Sequence, residues 1–77
     1  MSIPNEKAIE RLRKQYPIGA RVELVFMDDP QAPPKGTLGT VEYVDDLGDI
    51  GVKWDNGSSL NVVYNIDCCR ILQYRLL

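Results

Sequence analysis

Alternating apolar residues in five short runs, preceded by one amphipathic stretch, predict a mainly β domain: a five-stranded small barrel with one N-terminal amphipathic α-helix. Three observations carry that prediction. Apolar residues recur at spacings of three and four before Pro17 and at spacings of two after Gly19. Asn56-Gly57, the dipeptide best suited to a two-residue hairpin turn, separates two of the alternating runs. The runs between 37 and 63 are joined by turns short enough to make them antiparallel neighbours, and five short strands close best as a barrel because closure removes exposed edges. The 77 residues make one domain, with a helix over 5–16 and the barrel over 20–75.

Ala8, Ile9, Leu12 and Tyr16 form the apolar stripe of the helix, which Asn5 or Ser2 can cap and Pro17 and Gly19 end. So short a helix is marginal alone, which implies docking on the barrel. In Arg21–Phe26, Val22, Leu24 and Phe26 alternate with Arg21, Glu23 and Val25. A proline-rich loop, Met27–Gly36, follows. Thr37–Val44 is the second strand, with a bulge or bend expected at Gly39. Asp45-Asp46-Leu47-Gly48 makes a turn. Asp49–Trp54 is the third strand, Ser58–Val63 the fourth, Tyr64–Asp67 a tight turn, and Arg70–Tyr74 the last strand.

A domain this small cannot rely on core area alone. Its only cysteines, Cys68 and Cys69, are adjacent and cannot staple distant segments; with no histidine present they also fall short of a four-ligand zinc site. Packing must hold the chain, and neither metal nor other cofactor is expected. The charged N-terminus lacks an export signal and no run can span a bilayer, so free thiols place the protein in the cytoplasm. The net charge of −2 is unevenly spread. Five cations against two acids give residues 1–21 a charge of +3, whereas nine acids against two lysines give residues 22–67 a charge of −7. An acidic body and a pI near 4.9 disfavour binding to a phosphate backbone.

Trp54 has two readings: a core residue closing the barrel beside Ile50 and Val52, or one wall of an aromatic groove with Tyr43 and Tyr64 that grips proline-rich or methylated ligands. The loop is longer than a strand connection requires, and Pro30, Pro33 and Pro34 stiffen it, which lowers the ordering penalty of binding. Asp28 and Asp29 either meet a basic partner there or cap the loop's own amides. Asp45, Asp46 and Asp49 read as a solvated turn. No histidine base, nucleophile elbow or phosphate-cradling loop is present, so an enzyme is not expected.

Gly36-Thr37-Leu38-Gly39-Thr40-Val41 followed by Val52-Lys53-Trp54-Asp55-Asn56-Gly57 resembles the phrasing of SH3-like small barrels. With Met27-Asp28-Asp29-Pro30-Gln31-Ala32-Pro33-Pro34 and Trp54–Leu60, the stretch from 9 to 72 resembles an uncharacterised bacterial family, a domain of unknown function met in Gram-positive bacteria, their phages and conjugative elements. That resemblance implies an accessory protein of a phage or mobile element and brings no activity with it. The expected function is a non-catalytic module that binds a protein partner through loop 27–36. The alternative is a nucleic-acid-binding barrel that uses Lys7, Arg11, Arg13 and Lys14 on the helix.

Overall fold

The N-terminal helix forms where the apolar spacing predicts it. In the computed structural model, which describes residues 3–72, α1 spans Glu6–Gln15. Asn5 is its cap, its Oδ1 accepting the Ala8 amide at 2.8 Å. Ser2, the other candidate cap, lies outside the described residues. Ile9 and Tyr16 are buried and Leu12 is half-buried against the core, so the helix docks as expected. Two polar contacts fix it. The Tyr16 hydroxyl donates to the Cys69 carbonyl (3.2 Å), and Arg13 donates from Nε and Nη2 to the Val44 carbonyl (3.2 and 3.1 Å).

Among the described residues there are four strands, β1 Arg21–Phe26, β2 Leu38–Val44, β3 Ile50–Trp54 and β4 Cys68–Ile71. They form one open antiparallel sheet in the order β3-β2-β1-β4. The core lies on one face, with Val22, Leu24, Val41, Val52 and Trp54 almost fully enclosed. The last strand begins at Cys68 rather than Arg70, and its expected end at Gln73 and Tyr74 lies outside the described residues.

Among the described residues the sheet stays open and 58–63 does not pair along it as the expected fourth strand of a five-stranded barrel; Trp54 supplies the reason. Its side chain is 1% exposed, and the indole N–H donates to the Leu60 carbonyl at 2.9 Å. The hairpin turn at Asn56-Gly57 is made, with Trp54 N–H donating to Ser58 O (2.9 Å). Further on, the ladder contact among the described residues is the Ile50–Val62 bridge. Between those two points the Leu60 carbonyl turns to the indole, and 58–63 bows away from β3 instead of pairing along it. The ring also accounts for Gly39, where a Cβ would stand 2.8 Å from Trp54 Cε3 and 2.6 Å from Val52 Cγ1. Gly39 is therefore where the strand lets an aromatic ring lie against it. The bulge of β2 falls later, between Val41 and Tyr43.

A second bulge, between Leu24 and Phe26, overturns the expected alternation in β1. Leu24 pairs with buried Cys69, whereas Phe26 pairs with exposed Cys68, so Phe26 leaves the core face. It is 45% exposed.

β4 is an edge strand, and edges invite unwanted pairing. Leu72 N–H donates to Arg21 O, so by alternation Ile71 and Cys69 turn their backbone groups away from β1. The Tyr16 hydroxyl covers one of those outward groups, the Cys69 carbonyl. Removing the hydroxyl by Tyr16→Phe should lower unfolding free energy by about 1 kcal/mol. Tyr16→Ala should lower it by about 3–5 kcal/mol, the range for a buried aromatic truncated to Ala. Urea denaturation measures both; a Tyr16→Ala domain as stable as the parent would show that the helix does not support the sheet.

Candidate functional site

Loop 27–36 leaves β1 at its bulge and returns to β2 under several restraints. The Asp28 amide donates to Asp67 Oδ1 (2.9 Å), which ties the start of the loop to the 63–67 turn. At the other end Gly36 N–H donates to Leu24 O (2.8 Å) and Leu24 N–H to Thr37 O (2.9 Å). Thr37 also donates from its amide and its hydroxyl to Pro34 O. Within the loop, Asp29 Oδ1 accepts the Gln31 amide (2.8 Å), a local turn that realises the capping reading for Asp29. Pro33 is buried, so the loop is not wholly a surface feature. Asp28, Asp29, Pro30 and Pro34 remain exposed.

Asp67 is the residue that the sequence reading missed. One carboxylate oxygen accepts Asp28 N–H, and the other accepts Val63 N–H at 2.8 Å, closing the turn in which Asn65 takes a positive φ of 64°. The turn signal was visible in the sequence, but nothing there linked it to a loop 39 residues away.

The aromatic trio does not gather. Trp54 is in the core, which settles its two readings in favour of packing. Tyr43 lies over Gly51, where a Cβ would run into its ring, and its hydroxyl donates to Asn61 Oδ1 (3.2 Å). Tyr64 packs over Gly48, together with Pro4. Shallow open grooves flank the helix: one of about 450 Å³ lined in part by Pro4, Glu10 and Asp46, one of about 330 Å³ lined in part by Ile18 and Tyr43, and one of about 250 Å³ lined in part by Leu12 and Tyr64. No residue of the proline loop lines these grooves, although Asp67, which holds the Asp28 amide, lines the last of them.

The four basic residues of α1 also divide. Lys7, Arg11 and Lys14, spaced four and three apart, share one exposed stripe opposite Ile9 and Tyr16. Arg13 points elsewhere, held by Val44 O and by Asp46 at 2.9 Å. In the 45–49 turn Asp45 Oδ1 accepts the amides of Leu47 and Asp49, and Asp49 Oδ1 accepts that of Tyr64. Asp45 thus holds its own turn, and Asp49 ties that turn to the 63–67 turn. Arg21 donates to both oxygens of Asp55 and keeps that carboxyl below its usual range. No three Cys, Asp or Glu side chains gather as metal ligands among the described residues. No helix among them is long and apolar enough to cross a membrane.

The family profile of DUF4314, a domain of unknown function, matches residues 5–72, which takes in the helix and all four strands. The chain belongs to the DUF4314 family. No curated protein and no solved structure matches it. DUF4314 membership agrees with the expected kinship to an uncharacterised family, and it brings no activity with it.

Within this DUF4314 domain the two cysteines have opposite surroundings. Cys68 is exposed; Cys69 is buried between Leu24 and Tyr16, and burial, reinforced by Cys68, pushes its thiol up to about 12 from 9.0. An unfolded chain would ionise that thiol from about pH 9, so above that pH the unfolded state holds fewer protons than the native one. Stability should therefore be intact below pH 9 and fall as pH rises towards 12. Tyr16, whose hydroxyl is also raised by burial, acts in the same direction. Replacing Cys69 by Ala should flatten the alkaline fall in urea midpoint, leaving a smaller Tyr16 component; an unchanged fall would contradict the assignment.

Proposed function

We propose that this DUF4314 domain is a non-catalytic interaction module that holds another protein through loop 27–36. The observation that carries the reading is the restraint on the loop. Backbone bonds at both ends and a buried Pro33 fix its course, while Asp28, Asp29, Pro30 and Pro34 stay at the surface. A loop already ordered before binding avoids much of the entropy penalty of capture, and a few anchored groups can then carry the affinity.

The finer proposals rest on the sequence resemblance: a cytoplasmic accessory protein of a bacterial phage or mobile element, with kinship to SH3-like barrels. The placement of β1 between β2 and β4, together with the Ile50–Val62 bridge, is compatible with an SH3-like barrel in which the fourth strand is peeled away. A second reading, nucleic-acid binding, is favoured by one observation. Lys7, Arg11 and Lys14 form an exposed stripe with no ion-pair partner among the described residues. The acidic pI weighs against it.

The test is affinity capture from a lysate of the source organism with Asp28→Ala, Pro30→Ser and Pro34→Ser combined and Pro33 left in place. This variant should stay within about 1–2 kcal/mol of parental stability, as surface changes do. It should lose the partner. Retention of every partner would place the binding surface elsewhere, and a variant that unfolds would make the loop structural. A salt-dependent mobility shift of oligonucleotides, lost in Lys7→Ala/Arg11→Ala/Lys14→Ala, would support the second reading instead.

A further inference from the structure

Bulges re-aim side chains, and the bulge in β1 turns an aromatic residue out of the core. In regular alternation Phe26 would follow Val22 and Leu24 inward; instead it stands 45% exposed opposite Cys68, which is itself exposed. Ile66, two residues before Cys68, is 49% exposed. The two apolar side chains therefore flank the base of the proline loop, where the Asp28 amide is bonded to Asp67. Around them acids outnumber cations, Lys35 at the return end of the loop being the one cation of residues 27–36. Asp28, Asp29 and Asp67 all belong to this end of the sheet, and Arg70, further along β4, is paired with Glu23. An exposed aromatic beside a preorganised loop is the usual make-up of a binding anchor, and an acidic rim selects the sign of what meets it.

We infer that Phe26 and Ile66, rimmed by Asp28, Asp29 and Asp67, form the docking surface for a cationic amphipathic segment of the partner protein. The inference rests on the reading of loop 27–36 as the contact site and supplies the chemistry of what it contacts. The apolar face of the segment covers Phe26 and Ile66, and its lysines or arginines meet the carboxylates.

The full chain is titrated into a fluorescein-labelled amphipathic peptide of lysine and leucine, with a glutamate–leucine peptide of the same pattern as control. Anisotropy should report binding of the first peptide and not the second, weakening as salt is raised. Phe26→Ser and Asp28→Asn should each reduce affinity about tenfold, whereas Leu47→Ser, an exposed apolar residue on the 45–48 turn, should leave it unchanged. If Phe26→Ser fails to fold, Ile66→Ser on the turn takes its place. Equal binding of the two peptides, or equal weakening by Leu47→Ser, would overturn the inference. Self-association of the free chain that Phe26→Ser abolishes would overturn it as well, since a second copy would then be the occupant. Failure with the peptide while the loop variant still loses its lysate partner removes only this inference; a loop variant that keeps every partner removes the reading beneath it.

Discussion

The architecture depends on one side chain meeting one carbonyl, the Trp54 indole donating to Leu60. A ring of that size supplies a large share of the apolar area available to so small a domain, and its N–H must find an acceptor once buried. The nearest solution takes the carbonyl that a regular hairpin would have offered to β3. The fold thereby gains a satisfied core and gives up a strand. The same ring presses on Gly39 of the neighbouring strand, where only a residue without a Cβ leaves room.

An open sheet needs its edges managed by other means. At β3 the bowed segment keeps contact through Ser58 and Val62. At β4 the helix does the work, with Tyr16 buried in the core and its hydroxyl on an outward carbonyl of the strand. Among the described residues, surface ion pairs join Arg13 to Asp46, Arg70 to Glu23 on the neighbouring strand, and Arg21 across β2 to Asp55. Exposed pairs of this kind add little stability. The proline loop is restrained by the same economy, through one carboxylate, Asp67, that serves two backbone segments.

Much of this was legible in the sequence because it is local. The Asn5 cap, the Ile9 and Tyr16 stripe, the 45–48 and 56–57 turns and the antiparallel pairing of β2 with β3 follow from spacing and turn chemistry. What was not legible depends on contacts between distant residues. Ser58–Val63 alternates well enough to read as a strand, and no local rule reveals that an indole takes Leu60 away from the ladder. Apolar Val25 beside Phe26 breaks strict alternation, as a bulge does, but the pairing that turns Phe26 outward involves Cys68. Proline composition identified loop 27–36, whereas the burial of Pro33 and the tie of Asp28 to Asp67 emerge only in the folded chain. Arg13 looked equivalent to Lys7, Arg11 and Lys14 until Val44 and Asp46 came within its reach.

The most direct test of this account is amide hydrogen exchange at three residues of β3. Ile50 and Trp54 donate outward to Val62 and Ser58. Val41, the β2 partner of Val52, directs its own amide and carbonyl to Ala20 and Gly19, so Val52 also faces the bowed segment, where no backbone acceptor meets it among the described residues. If Leu60 is held by the indole, the Val52 amide should exchange much faster than those of Ile50 and Trp54 on either side of it. Equal protection at all three would mean that 58–63 pairs along β3 as a fifth strand, and would contradict the account.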